Sequence, residues 1–120
     1  MKLSTLCYSE KQENIATVTF DRGKTCDNIA DKLFFEELNQ CLGLIESKDY
    51  LEGLVFSSSG KNFMIGSDIR EFSALSSSED ARSMSVYMNQ TMERISLLSI
   101  PVVCLIHGKC LGPGLELALA

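Results

Sequence analysis

Apolar and polar positions change their period along this chain, and each change marks an element. Between Asn14 and Asp21, Ala16, Val18 and Phe20 fall on one face and Ile15, Thr17 and Thr19 on the other. That alternation predicts a strand. A loop over Arg22–Asn28 follows, with Gly23 in it. From Ala30 to Ser47 the period lengthens. Phe34, Leu38, Cys41, Leu42 and Ile45 recur at helical steps, while Glu36, Glu37, Asn39 and Gln40 lie elsewhere on the wheel. This is the pattern of an amphipathic helix. From Gly53 to Ser57, Leu54, Val55 and Phe56 are consecutive and apolar, which suits a short strand covered on both faces.

In the second half a polar turn, Ser58–Asn62, leads into Phe63, Met64, Ile65 and Gly66. Asp68 is placed to cap a short helix, with Glu71 completing a capping box. Ser76 with Glu79 offers a second box, and the helix behind it runs to about Leu98. Its stripe, Met84, Met88, Met92 and Ile95, reads as core. Pro101 stops that helix. Val102–Ile106 is an apolar, β-branched run and predicts a buried strand. Gly108, Gly112, Pro113 and Gly114 then form a loop, and Leu115–Ala120 opens a further helix. Strands alternating with helices predict an α/β architecture. A helix that stops in its second turn with no cap leads to the expectation of a fragment of a longer domain, or a truncated relative of one. Such a part is expected to expose one face of its sheet and its last helix.

Composition narrows the classes. The chain has 120 residues, 45% hydrophobic and 22% charged, the proportions of one small globular domain. Lys+Arg total 11 and Asp+Glu 16, a net charge of −5, which does not make a nucleic-acid surface. No apolar run approaches the roughly 20 residues of a membrane span. The opening MKLSTLCYSEKQEN lacks a signal peptide's apolar stretch, so a cytoplasmic protein is expected. Five cysteines (Cys7, Cys26, Cys41, Cys104, Cys110) contain no CxxC pair and read as free, mostly buried thiols in a reducing compartment. One histidine, His107, has no ligand quartet around it, so no metal site is expected.

Two segments share one design: a strand, a glycine-containing loop and a helix start. They are GKNFMIGSDIREF, Gly60–Phe72, and IPVVCLIHGKCLGPGLELALA, Ile100–Ala120. In a parallel sheet such loops converge at the carboxyl ends of the strands, where ligands bind. Two helix starts aimed at one point could hold a developing oxyanion. The same glycines would also serve as plain tight turns. A Walker pattern is absent. Gly112-Pro113-Gly114 begins like a dinucleotide fingerprint, but Leu117 stands at the third glycine position, and Glu116 would repel a phosphate. Glu116 itself has apolar neighbours, Leu115, Leu117 and Ala118. Such company suits a general acid or base; a solvent-facing glutamate complementing the helix dipole is the other reading.

The paired segments resemble the signature of the enoyl-CoA hydratase/isomerase (crotonase) superfamily. They are most similar to the hydratase domain that opens the α subunits of fatty-acid oxidation complexes. NFMIGSDIREF is similar to the family's first oxyanion loop, and IPVVCLIHGKCLGPGLELALA to its second, where a triple glycine precedes a catalytic glutamate. The resemblance covers nearly the whole chain and implies the N-terminal portion, residues 1–120, of a crotonase-like (ClpP/crotonase) α/β fold with repeated ββα units. It implies hydration of a 2-enoyl-CoA in fatty-acid β-oxidation. The thioester carbonyl would lie between the Ser67 amide and a second amide at position 113. Ile65, Gly66, Asp68, Ile69 and Arg70 would line the acyl-CoA groove, and Glu116 would match the first of two catalytic glutamates. Coenzyme A enters as part of the substrate, with no further cofactor, and a homo-oligomer or an oxidation complex is implied. This sequence departs from the pattern at Pro113, which has no N–H; Gly114 would be the substitute donor. The second glutamate would fall beyond Ala120, leaving an impaired acyl-CoA-binding or assembly fragment as the alternative. The loop RGKTCDN, Arg22–Asn28, matches the family only loosely.

Overall fold

The Ala16, Val18 and Phe20 face organises the core. In a computed structural model, which describes residues 1–23 and 26–120, all three are fully buried. Lys24 and Thr25 of the expected 22–28 loop lie outside the described residues. The first strand, β1 (Leu6–Lys11), pairs antiparallel with β2 (Ile15–Phe20). Glu13 and Asn14 turn the chain between them at φ +65° and +60°, the left-handed conformation that tight hairpins need. Sequence patterning left β1 unassigned, yet Leu6 and Tyr8 alternate inward on it.

After β3 (Ile29–Ala30) comes α1 (Lys32–Glu46), two residues later than the expected start. Ala30 is in an extended segment, and the Asp31 carboxylate accepts from the Phe34 N–H as N-cap, a device that satisfies a free first-turn amide. All five residues of the expected stripe are buried, joined by Phe35. Next come β4 (Gly53–Ser58), β5 (Gly66–Ser67), α2 (Ile69–Ser73), α3 (Ser78–Ser96), β6 (Val102–Cys104) and α4 (Pro113–Leu119). One sheet has the order β1-β2-β4-β6; β2 pairs with β4, and β4 with β6, in parallel. A second, two-stranded sheet pairs β3 with β5 in parallel.

Phe20 is the centre of the core. Its ring lies 5.1 Å from Phe34 and 5.1 Å from Phe63, both edge-on, and 5.9 Å from Phe56. These are favourable aromatic geometries. They join β2, α1, β4 and the segment before β5 into one cluster.

Four expectations change. The 102–106 run is not a buried strand. β6 is a sheet edge of three residues, and Val103, Leu105 and Ile106 are each about half exposed, because only β4 pairs with it. The cap of α3 is Ser77, whose hydroxyl accepts from the Asp80 N–H, and Ser76 bonds the Asp80 carboxylate instead. Asp68 does cap α2, accepting from the Arg70 N–H. Glu71 does not close that box: both its carboxylate oxygens accept from the Lys32 N–H, at 2.8 and 3.0 Å, so it caps α1. Of the cysteines only Cys41 is buried, and burial pushes its thiol up to about 11. Cys7, Cys104 and Cys110 are half-buried, and Cys26 is exposed. Leu115 and Leu119 of α4 are exposed. Among the described residues no helix is long and apolar enough to cross a membrane.

One buried charge ties the N-terminal arm to α1. Glu37 is 7% exposed and accepts from the Ser4 N–H, the Thr5 N–H and the Thr5 hydroxyl. Burial pushes its carboxyl upward, but the Thr5 hydroxyl and the Thr5 and Ser4 amides outweigh it and hold the carboxyl below 4.5. A lowered folded-state value stabilises the fold above the unfolded value, and that stability is lost as pH falls through the folded one. Acid titration of the wild type is therefore expected to loosen the N-terminal arm as pH falls below the usual carboxylate range. Glu37→Leu is expected to lose about 1–3 kcal/mol at neutral pH, because the Thr5 donors are left unpaired. Denaturation of the two proteins at neutral and acid pH checks both; equal midpoints across the range would remove Glu37 from this role.

Candidate active site

The two glycine loops are hydrogen-bonded to each other. The Phe63 N–H donates to the His107 carbonyl (2.9 Å), the Met64 N–H to the Lys109 carbonyl (3.1 Å), and the Leu111 N–H to the Met64 carbonyl (3.0 Å). The Asn62 side chain accepts from the Lys109 N–H at 2.9 Å, and the His107 ring lies 2.8 Å from the Gly60 carbonyl oxygen. His107 thus serves the loop junction. On the other side of the first loop, the Ile65 N–H donates to the Asn28 carbonyl at 3.0 Å. Three segments, around Asn28, Met64 and Cys110, therefore run side by side.

Two glycines permit this approach. A Cβ on Gly108, at φ +63°, would lie 2.2 Å from the Lys61 carbonyl oxygen, and one on Gly114 would lie 2.6 Å from the Met64 Cβ. No side chain fits either place. At Gly112 a Cβ would lie 3.6 Å from the Gly66 Cα. The turn before Ser67 and the start of α4 are therefore neighbours.

A residue outside the sequence-derived site anchors the first loop. Asn28 is 4% exposed. Its side-chain amide lies 3.1 Å from the Ser58 hydroxyl, 3.3 Å from the Phe63 carbonyl and 3.4 Å from the Phe20 carbonyl. It binds the ends of β2 and β4 to the segment that enters β5. A single asparagine in a turn-like sequence gives no signal of this; only the fold brings its partners together.

Ser67 pairs with Ala30 across the small sheet. Pro113 is the first helical residue of α4, where a missing N–H costs the helix nothing. The Gly114 N–H donates to the Leu111 carbonyl at 3.1 Å. That proton closes the turn, so Gly114 would serve as the substitute donor only after a shift of the loop. Glu116 is solvent-exposed, as in the second of the two readings open for it. Leu117 is the α4 side chain turned into the core, and Glu116, one position back, lies about 100° around the helix.

An apolar cavity of about 460 Å³ opens beside Ser67, between α1, α2 and α3. Phe35, Phe72, Met84, Tyr87 and Met88 supply much of its wall. Of the groove residues expected from sequence, Asp68 borders it, while Ile65, Gly66, Ile69 and Arg70 do not. Ile69 is 78% exposed, because so short a helix has no outer partner for its first residue. Arg70 turns back on Asp68 at 3.0 Å, and its guanidinium holds the Asp68 carboxyl below the ordinary range. Met84 and Met88, expected as core, are half-buried cavity walls. Their helical spacing was legible; which side of the helix faces a void was not. Among the described residues no group of His, Cys, Asp or Glu could hold a metal ion.

Known proteins resemble this chain in sequence and fold. Fatty acid oxidation complex subunit alpha of Shewanella sp. (strain W3-18-1) is 36% identical over 117 residues, 97% of this chain and 17% of that protein. The subunit of the same name from Idiomarina loihiensis is 36% identical over 113 residues, 92% of this chain and 16% of that protein. This chain thus spans about a sixth of the length of these relatives. The crystal structure of an enoyl-CoA hydratase/carnithine racemase from Magnetospirillum magneticum superposes with a TM-score of 0.87 at 26% identity, over 98% of this chain and 44% of that one. The fold is therefore crotonase-like. Residues 10–120 match the family described as enoyl-CoA hydratase/isomerase, and the chain belongs to that family.

Proposed function

We propose that this chain supplies the thioester-binding half of an enoyl-CoA hydratase acting in fatty-acid β-oxidation. The observation that carries the reading is the junction of the two loops, with Gly112 against Gly66 and an apolar cavity beside Ser67. A 2-enoyl-CoA would place its thioester carbonyl at the junction and its acyl chain in the cavity. Asp68 borders the cavity, and Ile65, Gly66, Ile69 and Arg70, which lie outside its wall, would meet the rest of the substrate beyond it. Glu116 would hold the attacking water and take its proton. The water oxygen bonds to C3, the double-bond electrons move onto the thioester oxygen, and the proton is returned to C2 as the carbonyl re-forms. Donors fixed in advance stabilise that enolate, and one lost donor costs on the order of 10²–10³ in rate. The exposed face of β6 and α4 would be covered by further protein, in an oligomer or an oxidation complex; the proposed compartment is the cytoplasm.

Pro113 favours a second reading, an acyl-CoA binder without turnover, because the position that the resemblance gives to the second donor has no N–H to give. Hydration of a short 2-enoyl-CoA by the full-length protein, followed by loss of the conjugated thioester absorbance, decides between them. Turnover supports the hydratase. Binding of the acyl-CoA without turnover supports the second reading. Absence of both overturns the acyl-CoA assignment.

A further inference from the structure

We infer that the Ser67 side-chain hydroxyl replaces the amide that Pro113 cannot supply, as the second donor to the substrate's thioester oxygen. The inference rests on the acyl-CoA reading above and adds a catalytic residue to it. Three observations carry it. First, the two positions considered for the second donor are not available as they stand. Pro113 has no N–H, and the Gly114 N–H is committed to the Leu111 carbonyl at 3.1 Å. An oxyanion at the junction gains a donor from neither.

Second, Ser67 has one to spare. It borders the apolar cavity and is only half-buried, and among the described residues no protein group bonds its hydroxyl. Other hydroxyls nearby are occupied: Ser58 donates to the Asn62 carbonyl at 2.8 Å, and Ser59 to the Phe20 carbonyl at 3.3 Å. A serine hydroxyl rotates to suit its acceptor. Third, the place is right. Ser67 directly follows Gly66, whose Cα would lie 3.6 Å from a Cβ placed on Gly112, so Ser67 stands where the two loops approach each other. A residue's own N–H and β-hydroxyl are close enough to bind one oxygen together. Such a pair would do from one strand what two facing amides do from two loops.

The test is a two-by-two set of variants in the full-length protein: wild type, Ser67→Ala, Pro113→Gly and the double variant. With Pro113 present, Ser67→Ala is expected to lower kcat about 10²-fold, the cost of one lost donor. With Pro113→Gly restoring an amide, the same change is expected to cost less than about 3-fold, so the two positions are strongly coupled. An aryl-conjugated enoyl-CoA thioester gives a second readout, because hydrogen bonding to its carbonyl shifts its absorption to longer wavelength. Ser67→Ala is expected to lose most of that shift while still binding. An unchanged kcat and shift in Ser67→Ala, or equal losses in both backgrounds, would overturn the assignment and leave the acyl-CoA reading standing. A wild type that neither binds nor shifts the probe overturns both.

Discussion

Glu116→Gln is expected to lower kcat for 2-enoyl-CoA hydration by about 10²–10⁴-fold in the full-length protein, the range for a lost general acid or base. The Kd for an acyl-CoA is expected to change little. Glutamine keeps the shape and the hydrogen-bonding reach but cannot take a proton from water. The fold has no stake in the carboxylate, because Glu116 is exposed and its backbone N–H is held by the Gly112 carbonyl at 3.0 Å. Leu117 anchors the helix in either variant. A fall in kcat with binding intact is therefore a chemical effect. Turnover equal to the wild type would remove Glu116 from the reaction.

Phe20→Ala is expected to cost about 3–5 kcal/mol, the range for emptying a buried aromatic site. Against a typical total of about 5–15 kcal/mol, that leaves the protein marginal. Phe20 is fully buried, with three aromatic rings within 5.9 Å. Those rings come from α1, β4 and the segment before β5, so no single element can shift to fill the space. The loss also reaches the site. The Phe20 carbonyl accepts from the Ser59 N–H at 2.9 Å and lies 3.4 Å from the Asn28 amide, the residue that anchors the first loop. Denaturant unfolding of the full-length protein, with the slope unchanged, measures the cost. A loss under about 1 kcal/mol would place the core elsewhere, since even modest large-to-small changes in a true core exceed it.

Much of the fold was legible. The two-residue alternation over 15–20, the helical stripe from Phe34 to Ile45 and the apolar run at 54–56 each found their element, because each buries its pattern within one segment. β1 escaped for the opposite reason. Its inward pair, Leu6 and Tyr8, is short, and the turn behind it is Gln12-Glu13-Asn14, without the glycine that flags a hairpin. The 102–106 run was misjudged because a β-branched, apolar segment reads the same at a sheet's centre and at its edge. Strand order, not composition, separates the two.

The site divides in the same way. Glu116 stood out as a residue type at a telling place, while Ser67, Pro113 and Gly114 took their roles from the resemblance of the two loops. Residue types did not show that the Gly114 proton is already spent or that Asn28 gathers the ends of two strands, and they left open whether Glu116 faces water. Nor did they show that Phe35, Phe72 and Met84 meet around a void.

The order of residues alone determined which segments become strands and helices, and where the glycine turns fall, because backbone preference and apolar period act between near neighbours. Only the tertiary structure decided which turns touch, which strand is left at the edge and which donors remain unspent. Those outcomes depend on contacts between residues distant in the chain, and no local pattern encodes them.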